Sequence, residues 1–368
     1  MKICMLSELF YPYLLGGAER RYYEIAKRLS KKHDITVYAM RLAGQKDTEN
    51  KDGIQIIRTG LKHPMNKRSI LPLLSFPTAL LRSITKDFDI IDANQGVASF
   101  VGALKPLSST PVVATFHDIY WNQWGKYFNF PFSSVGKLME FGFSKIKFDR
   151  IVTNSPETKK KLERLSFASP IEVIVSGIDT DSIKKVKSTK SEYTIVYVGR
   201  LVKYKNVDML LRAAARLKPD FPKTKIRIIG SGPEEANLKS LSKSLDIGAE
   251  FLGYVSEEEK ISIVKSSTIY VNPSSVEGLG LGLIEAMACK TAIVARNLDC
   301  YFFCNSGNSM LYTNENGLYL ALQKLLENPD HRNKLARNAH RTAAAYSWDT
   351  TAKKVEQVYK EVSRRGGE

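Results

Sequence analysis

The feature that most constrains the fold is a regular alternation of short apolar, β-branched runs with longer amphipathic stretches. Ile90–Asn94, Val112–Phe116 and Lys225–Ile229 are typical of the runs, and Val207–Leu217 is typical of the stretches between them. Strands that are apolar throughout, with helices between them, indicate parallel sheets covered on both faces. The predicted fold class is therefore α/β, with Rossmann-like, doubly wound sheets.

A length of 368 residues exceeds what one hydrophobic core usually supports, and the series restarts after about residue 170. We therefore predict an N-terminal domain over residues 1–170 and a C-terminal domain over 171–346 that opens with a strand near 172–176. A final helix over 347–368 is expected to return toward the first domain. Ligands of open α/β sheets bind beyond the carboxyl ends of the strands, so the two domains are expected to face a cleft.

The formal net charge of +17 favours polyanionic partners such as nucleic acid, an acidic membrane face or phosphorylated substrates. Lysine-rich solvated helices explain the same charge without any partner. No RNP, zinc-finger or helix-turn-helix pattern occurs, so no specific nucleic-acid partner is predicted. The sequence shows no signal-peptide pattern and no uncharged apolar stretch of about 18 residues, which predicts a cytoplasmic protein.

The strongest motif is a glycine-rich turn that follows a predicted strand and opens a helix, over residues 274–287. Its three glycines let the backbone approach a ligand, and the free N–H groups of the helix start favour an anion such as phosphate. Glu277 and Glu285 flank the turn. A carboxylate beside a phosphate is costly unless it pairs with hydroxyls or a cation, so sugar hydroxyls are the predicted targets. The alternative is a structural turn with Glu285 on a solvated face.

Two further motifs follow strands. Arg200 and Lys205 project from the loop after a buried strand, where arginine grips phosphate oxygens bidentately and lysine supplies a point charge. In so basic a chain, two solvated side chains are the alternative. Residues 16–19, Gly-Gly-Ala-Glu, lie between the first strand and the first helix. They do not match the G-x-G-x-x-G dinucleotide fingerprint, which disfavours NAD.

In order and separation these motifs resemble those of the GT-B glycosyltransferases of family four, and the resemblance spans nearly the whole chain. That family consists of retaining, nucleotide-sugar-dependent enzymes, many of them mannosyl- or glucosyltransferases. The resemblance implies two Rossmann-like domains around a cleft, with the donor on the C-terminal side and the acceptor on the N-terminal side. It also implies a hexose donor linked to GDP or UDP, which is a substrate, and no cofactor.

The resemblance assigns a role to each site residue. Arg200 and Lys205 are expected to hold the diphosphate, Glu285 the ribose hydroxyls, and Glu277 the transferred sugar. His117 is expected to touch the donor sugar near the acceptor, and an ordinary strand-end histidine is the alternative. The implied catalytic residues are Glu277, His117, Arg200 and Lys205. The implied donor-binding residues are Gly16, Gly17, Arg200, Lys205, Gly253, Tyr254, Val255, Glu277, Gly278, Leu279, Gly280, Leu281 and Glu285.

The sequence departs from the family pattern at three places: Ser176 replaces the usual Asn, Asp92 replaces a frequent His, and residues 296–304 replace a glycine-rich turn. These departures leave donor specificity open. Two D-x-D triplets, at residues 87–89 and 179–181, lack the preceding strand and open loop that this metal motif has in another glycosyltransferase fold. Cys300 and Cys304 lack a second pair that would complete a zinc set, so no metal site is predicted.

Two N-terminal passages, residues 63–82 and 121–148, combine basic and apolar side chains. The first contains Lys67, Arg68 and Arg82, and the second contains Trp124, Tyr127, Phe128, Phe130, Phe132, Phe141 and Phe143 among Lys126, Lys137, Lys145 and Lys147. Such segments are typical of interfacial membrane contacts. They predict a peripheral enzyme on an anionic inner membrane face with a lipid-linked acceptor. The alternative is that the aromatic residues fill the N-terminal core and a loop that lines the cleft. The acceptor is expected to be a sugar or a lipid-linked molecule.

Three other functions compete with glycosyl transfer. An epimerase of the same fold would use the donor without an acceptor, and a sugar phosphorylase would carry pyridoxal phosphate on a lysine. A non-enzymatic polyanion-binding protein follows from the net charge alone.

Overall fold

The computed structural model describes residues 1–14, 16–63, 70–84, 87–95, 110–121, 124 and 132–365. The strands in these ranges are β1 (Lys2–Leu6), β2 (Asp34–Leu42), β3 (Thr48–Lys51), β4 (Ile54–His63), β5 (Ile90–Asn94), β6 (Val112–Phe116), β7 (Arg150–Thr153), β8 (Ile171–Val173), β9 (Thr194–Val198), β10 (Lys225–Ile229), β11 (Glu250–Gly253), β12 (Ile269–Asn272), β13 (Ala292–Arg296) and β14 (Met310–Tyr312). The helices are α1 (Gly17–Leu29), α2 (Ile70–Ser83), α3 (Phe132–Ser144), α4 (Pro156–Arg164), α5 (Thr180–Lys185), α6 (Val207–Leu217), α7 (Glu235–Ser244), α8 (Glu257–Ser266), α9 (Leu281–Ala288), α10 (Glu315–Glu327), α11 (Pro329–Ala343) and α12 (Trp348–Arg365).

The chain divides into two compact units. The first comprises Met1–Gly177 and Trp348–Glu368, and the second comprises Ile178–Ser347. The chain therefore leaves the first unit once and returns to it with α12. Where the chain enters and leaves the second unit, Ile178 and Ser347 form a parallel bridge.

The first unit is built on a sheet of strand order β3-β4-β2-β1-β5-β6-β7-β8, in which every described pairing except β3 with β4 is parallel. Helix α1 buries Tyr22, Ile25, Ala26 and Leu29, a spacing that places them on one helical face. That face and the buried side chains of α12 belong to one hydrophobic cluster that covers the central strands. The predicted α/β class is confirmed for this unit.

The strand predicted near residues 172–176 does not open the second sheet. The structure places it at Ile171–Val173, as β8, where it pairs in parallel with β7 at the edge of the first sheet. The predicted boundary at residue 170 was wrong by several residues, because the chain crosses after Gly177. An apolar run adds to any sheet with an open edge, and the alternation of runs and helices does not indicate which sheet that is.

The second unit is built on a wholly parallel sheet, in the order β11-β10-β9-β12-β13-β14. Its core contains the inner face of α6, with Val207, Leu210, Leu211 and Leu217 almost fully buried. Helices α6, α10 and the strands share that hydrophobic cluster. The predicted doubly wound architecture is confirmed here as well, and this sheet positions most of the candidate site.

The two basic, apolar passages of the first unit are divided between core and surface. Phe76, Leu80 and Phe148 are buried, as the core alternative predicts. Phe141 is exposed on α3. Several of the predicted membrane contacts lie outside the described residues: Lys67, Arg68, Lys126, Tyr127, Phe128, Phe130 and the side chain of Phe132. In the described ranges, no helix combines the length and apolar character needed to cross a bilayer.

Candidate functional site

The candidate site of the second unit lies where its sheet changes direction. From β9 the chain builds outward through β10 to β11, and then returns to build β12, β13 and β14 on the other side of β9. The loops after β9 and β12 therefore leave in opposite directions and open a crevice at their carboxyl ends, where ligands of such sheets bind. Arg200 and Lys205 follow β9, and Glu277 follows β12. The two strongest sequence motifs thus meet at one switch point.

Backbone and side-chain hydrogen bonds join these two loops. The Ser275 backbone N–H donates to the Tyr204 carbonyl over 2.9 Å, and Asn206 Nδ2 donates to the Pro273 carbonyl over 3.2 Å. Lys205 Nζ donates to Glu277 Oε1 in an ion pair whose side chains are mostly buried. The loops are held in register, so a cation and a carboxylate lie side by side at the centre of the site.

Arg200 lies on the exposed side of the same loop. Its Nη2 donates to the Tyr204 hydroxyl over 2.7 Å, and its own carbonyl accepts from the hydroxyl of buried Tyr197 over 3.1 Å. A guanidinium group has five N–H donors, so one bond to Tyr204 leaves capacity for a phosphate. The structure places Arg200 as predicted, at the carboxyl end of β9 and on the loop that carries Lys205.

The glycine-rich turn, from Gly278 to Leu281, ends at the first residue of α9. Gly280 has a φ of +81°, and a Cβ atom on it would lie 2.5 Å from Cε1 of Tyr301. Only glycine fits this conformation and this close approach. The Leu283 N–H donates to the Gly280 carbonyl at the N-cap over 2.9 Å. The first two N–H groups of α9, at Leu281 and Gly282, precede any acceptor within the helix, which is the arrangement that binds anions at helix starts. Tyr301 belongs to the segment 296–304 that departs from the family pattern, so this segment supports the turn.

Glu285 lies inside α9 rather than on a solvated face, and its side chain is only 15% exposed. Lys260 of α8 donates to Glu285 Oε2 over 2.9 Å and to Glu257 Oε2 over 2.9 Å. The Glu285 side chain therefore faces a lysine inside the protein, which excludes the alternative of a solvated face. Sequence reasoning missed Lys260. The sequence shows only a lysine on the helix before β12. Its role as the partner of Glu285 becomes apparent only when the strand order is known.

The residues predicted to read the base lie at the edge of the same sheet. Gly253 ends β11, and its carbonyl accepts from the Gly230 N–H over 2.7 Å, which joins the loops after β10 and β11. Tyr254 is 80% exposed, and Val255 is partly buried. These residues are on the β11 side of the switch point, in the same unit as Arg200 and Glu285.

Gly16, Gly17 and His117 belong to the first unit. Gly16 is the N-cap of α1 and Gly17 its first residue. His117 follows β6, and its Nε2 lies 3.0 Å from Asn94 Oδ1. Burial, with the charge of Arg21, lowers the pKa of His117 to about 3. The imidazole is therefore neutral near pH 7.

Among the described residues, no group of three or more His, Cys, Asp or Glu side chains is arranged to hold a metal ion. In the D-x-D triplet at residues 179–181, Asp179 caps α5 by accepting from the Ser182 N–H. In the other triplet, Asp89 accepts from the Lys2 N–H over 2.8 Å. Both aspartates thus take part in structural hydrogen bonds.

The family model described as "Glycosyltransferase Family 4" matches residues 15–182, and the model described as "Glycosyl transferases group 1" matches residues 179–342. A phosphatidyl-myo-inositol mannosyltransferase from Mycolicibacterium smegmatis is 26% identical over 327 residues, which are 84% of this chain and 82% of that protein. Among solved structures, sucrose-phosphate synthase from Thermosynechococcus elongatus aligns with a TM-score of 0.86 and 20% identity over 98% of each chain. The Anabaena HepE protein in complex with UDP and glucose aligns with a TM-score of 0.76 and 17% identity over 98% of this chain and 100% of that one.

The two family matches together run from residue 15 to residue 342, and the two parallel-sheet units have the fold of the solved structures. An epimerase is not favoured by these similarities. The chain belongs to the family 4 glycosyltransferases and has the GT-B fold.

Proposed function

We propose that this enzyme transfers a hexose, of the mannose or glucose type, from a nucleoside-diphosphate sugar to a hydroxyl acceptor with retention of anomeric configuration and without a metal ion. The observation that carries the proposal is the meeting of Arg200, Lys205, Glu277 and the start of α9 at one switch point of the second sheet. Two cations and a helix start suit a diphosphate, and a neighbouring carboxylate suits sugar hydroxyls.

The leaving diphosphate gains negative charge as the glycosidic bond breaks. Arg200, Lys205 and the N–H groups of α9 would therefore stabilise the transition state more than the bound donor. In the same proposal Lys205 is shared between Glu277 and the phosphate, and Glu285 binds the ribose. The leaving phosphate oxygen accepts the proton of the acceptor hydroxyl, so a carboxylate nucleophile is not needed.

Thermal unfolding with nucleoside diphosphates tests the donor site. A ligand at a hundred times its Kd stabilises the folded state by about 2.7 kcal/mol, which corresponds to a rise in Tm of roughly 5–10 °C for a domain of this size. The rise is expected with one nucleoside diphosphate in the presence of EDTA, and it is expected to vanish in Arg200→Ala and Glu285→Ala. Arg337→Ala, at an exposed arginine of α11, is the matched control.

A rise that requires a divalent cation would contradict metal independence. A rise that persists in Arg200→Ala and Glu285→Ala would place the diphosphate elsewhere. The anomeric configuration of the product, read from its proton NMR coupling constants, separates retention from inversion.

We further propose that the acceptor is lipid-linked and that α3 contacts an anionic membrane. Leu138 is 71% exposed and Phe141 46% exposed, on the same face as exposed Lys137. Lys145 Nζ lies 4.8 Å from the centre of the Phe141 ring. An exposed apolar face flanked by lysines suits the boundary between acyl chains and acidic headgroups. The name of the mycobacterial relative, a phosphatidyl-myo-inositol mannosyltransferase, supports a hexose and a lipid acceptor.

Flotation with vesicles of anionic phospholipid tests this surface. Binding is expected to weaken with added salt and to fall strongly in the double variant Leu138→Gln, Phe141→Gln. Leu320→Gln changes an equally apolar residue, 51% exposed on α10, and is expected to leave binding unchanged. Flotation that does not depend on the salt concentration would refute the assignment of α3. So would equal weakening by the double variant and by Leu320→Gln.

A further inference from the structure

The first unit has a switch point of its own. Its strands run from β1 outward through β2 on one side and through β5, β6 and β7 on the other, so the loops after β1 and β5 diverge. Ser7 follows β1, Asn94 ends β5, and His117 follows β6. Asn94 is 6% exposed, so its amide is committed to neighbours within the protein.

Hydrogen bonds fix the orientation of the Asn94 amide. Its Nδ2 donates to Ser7 Oγ over 3.1 Å, and Ser7 Oγ in turn donates to the Leu9 carbonyl over 2.8 Å. Its Oδ1 accepts from the Gln95 N–H over 2.9 Å. Exchanging the amide oxygen and nitrogen would set an NH2 group against a backbone N–H. The oxygen therefore faces Gln95.

This orientation determines the tautomer of His117. The ring atom 3.0 Å from Asn94 Oδ1 is Nε2, and an acceptor oxygen requires that Nε2 carry the proton. In a neutral ring Nδ1 then keeps its lone pair. Gln95 also holds the backbone, because its Oε1 accepts from the His117 N–H over 3.0 Å and its Nε2 donates to the Asp118 carbonyl over 2.6 Å.

The electrostatic surroundings keep the ring neutral. Among the described residues, the charged and titratable groups on the neighbouring elements include Arg21, Tyr22, Asp92, Asp118, Lys161 and Tyr359, and Cys4 and Glu8 lie at β1 and just after it. Asp92 accepts hydrogen bonds from Tyr22, Thr115 and Tyr359, and Asp118 pairs with Lys161 over 2.6 Å, so both carboxylates are engaged with other donors. Burial and the positive charge of Arg21 oppose a second proton on His117.

We propose that Asn94 is a positioning residue that holds His117 as the neutral Nε2–H tautomer, so that Nδ1 accepts a hydrogen bond from a sugar hydroxyl of the substrate. The consequence for catalysis rests on the proposed function, together with the role that the family resemblance implies for His117, a contact with the transferred sugar. The tautomer itself rests only on the hydrogen bonds above. An accepting nitrogen selects a hydroxyl that donates, which orients the sugar.

The tautomer can be read without any substrate. Full-length protein labelled with 15N in its five histidines gives long-range proton–nitrogen correlations, and loss of one set in His117→Gln assigns His117. The expected pattern is a protonated Nε2 and an unprotonated Nδ1, unchanged from about pH 5 to about pH 8. A protonated Nδ1, or a ring that titrates in that range, would overturn the inference in the wild-type chain.

Asn94→Asp gives a second readout. A carboxylate beside Nε2 favours the imidazolium, so the pKa of His117 is expected to rise into the measurable range. Where that pKa lies about one unit above the working pH, the neutral ring is about tenfold less abundant, and kcat is expected to fall by about the same factor. Wild-type kcat is expected to lack this acid limb.

Asn50→Asp makes the same change of charge on exposed β3 of the same unit and is expected to leave the His117 spectrum and the pH profile unchanged. An unchanged His117 pKa in Asn94→Asp would refute the positioning role. The predicted tautomer without any transferase activity would refute the proposed function and leave the assignment of Asn94 intact, so the two failures are distinguishable.

Discussion

Replacing Gly280 by alanine tests whether the turn before α9 is shaped by steric limits. At a φ of +81° an L-residue such as alanine destabilises the folded state by about 1–2 kcal/mol relative to glycine. The new Cβ would also lie 2.5 Å from Cε1 of Tyr301, and such overpacking in a filled site costs about 1–3 kcal/mol. We expect Gly280→Ala to lower the free energy of unfolding by about 2–5 kcal/mol, and to weaken nucleoside-diphosphate binding because the helix start shifts.

Urea unfolding, followed by fluorescence and circular dichroism, measures the loss of stability. Gly248→Ala is the matched control, because Gly248 has a φ of +56° and a Cβ atom there would meet no atom of a non-adjacent residue within 4 Å. It retains the backbone strain without the clash. In the double variant Gly280→Ala, Tyr301→Ala the clash is removed, so the two changes should cost less together than the sum of their separate costs. Equal losses in Gly280→Ala and Gly248→Ala, or additive losses in the double variant, would refute the steric argument.

Three further changes test other parts of the structure. Glu285→Gln removes the charge opposite Lys260 and is expected to weaken nucleoside-diphosphate binding by tenfold or more, about 1.4 kcal/mol, in calorimetric titration; unchanged affinity would remove Glu285 from the donor site. Burial, aided by Glu19, raises the pKa of Glu8 to about 7, so ionisation is harder in the folded state. The free energy of unfolding of the wild type should therefore fall by about 1–3 kcal/mol relative to that of Glu8→Gln as the pH rises from about 4.5 to about 7, and should fall no further above pH 7. Urea unfolding at a series of pH values measures this difference. A difference independent of pH would contradict the prediction. Buried Arg58 donates to two backbone carbonyls and a glutamate, so Arg58→Lys is expected to lower the free energy of unfolding by about 2–4 kcal/mol, and a loss below about 1 kcal/mol would show that water replaces these bonds.

The sequence predicts the central strands well, because a strand buried on both faces must be apolar throughout. Strands β5, β6 and β10 have the predicted bounds. Strand β3, with the sequence Thr-Glu-Asn-Lys, was missed because an exposed edge strand needs no apolar run and pairs through its backbone. The domain boundary was misplaced for a related reason, since pairing of β8 with β7 depends on tertiary contacts between distant segments.

The site was partly accessible from sequence. Arg200, Lys205 and Glu277 stand at strand ends, and parallel strands place their carboxyl ends together, so their meeting could be inferred. The partner of Glu285 could not, because Lys260 is 25 residues away and comes close only through tertiary packing, in which α8 contacts β9. The orientation of Asn94 and the tautomer of His117 depend on hydrogen bonds among three loops, and local sequence patterns do not determine these.

Because α12 completes the first unit, we expect the second unit to fold before the first is complete. Residues 178–347 leave the ribosome as one uninterrupted segment and can form their core at once. The core of the first unit is complete only with Trp348 and Tyr359, whose side chains are buried, and the Tyr359 hydroxyl also donates a hydrogen bond to Asp92. A nascent chain that stalls before α12 is therefore expected to expose the apolar side of α1, because α12 packs against that side in the folded protein.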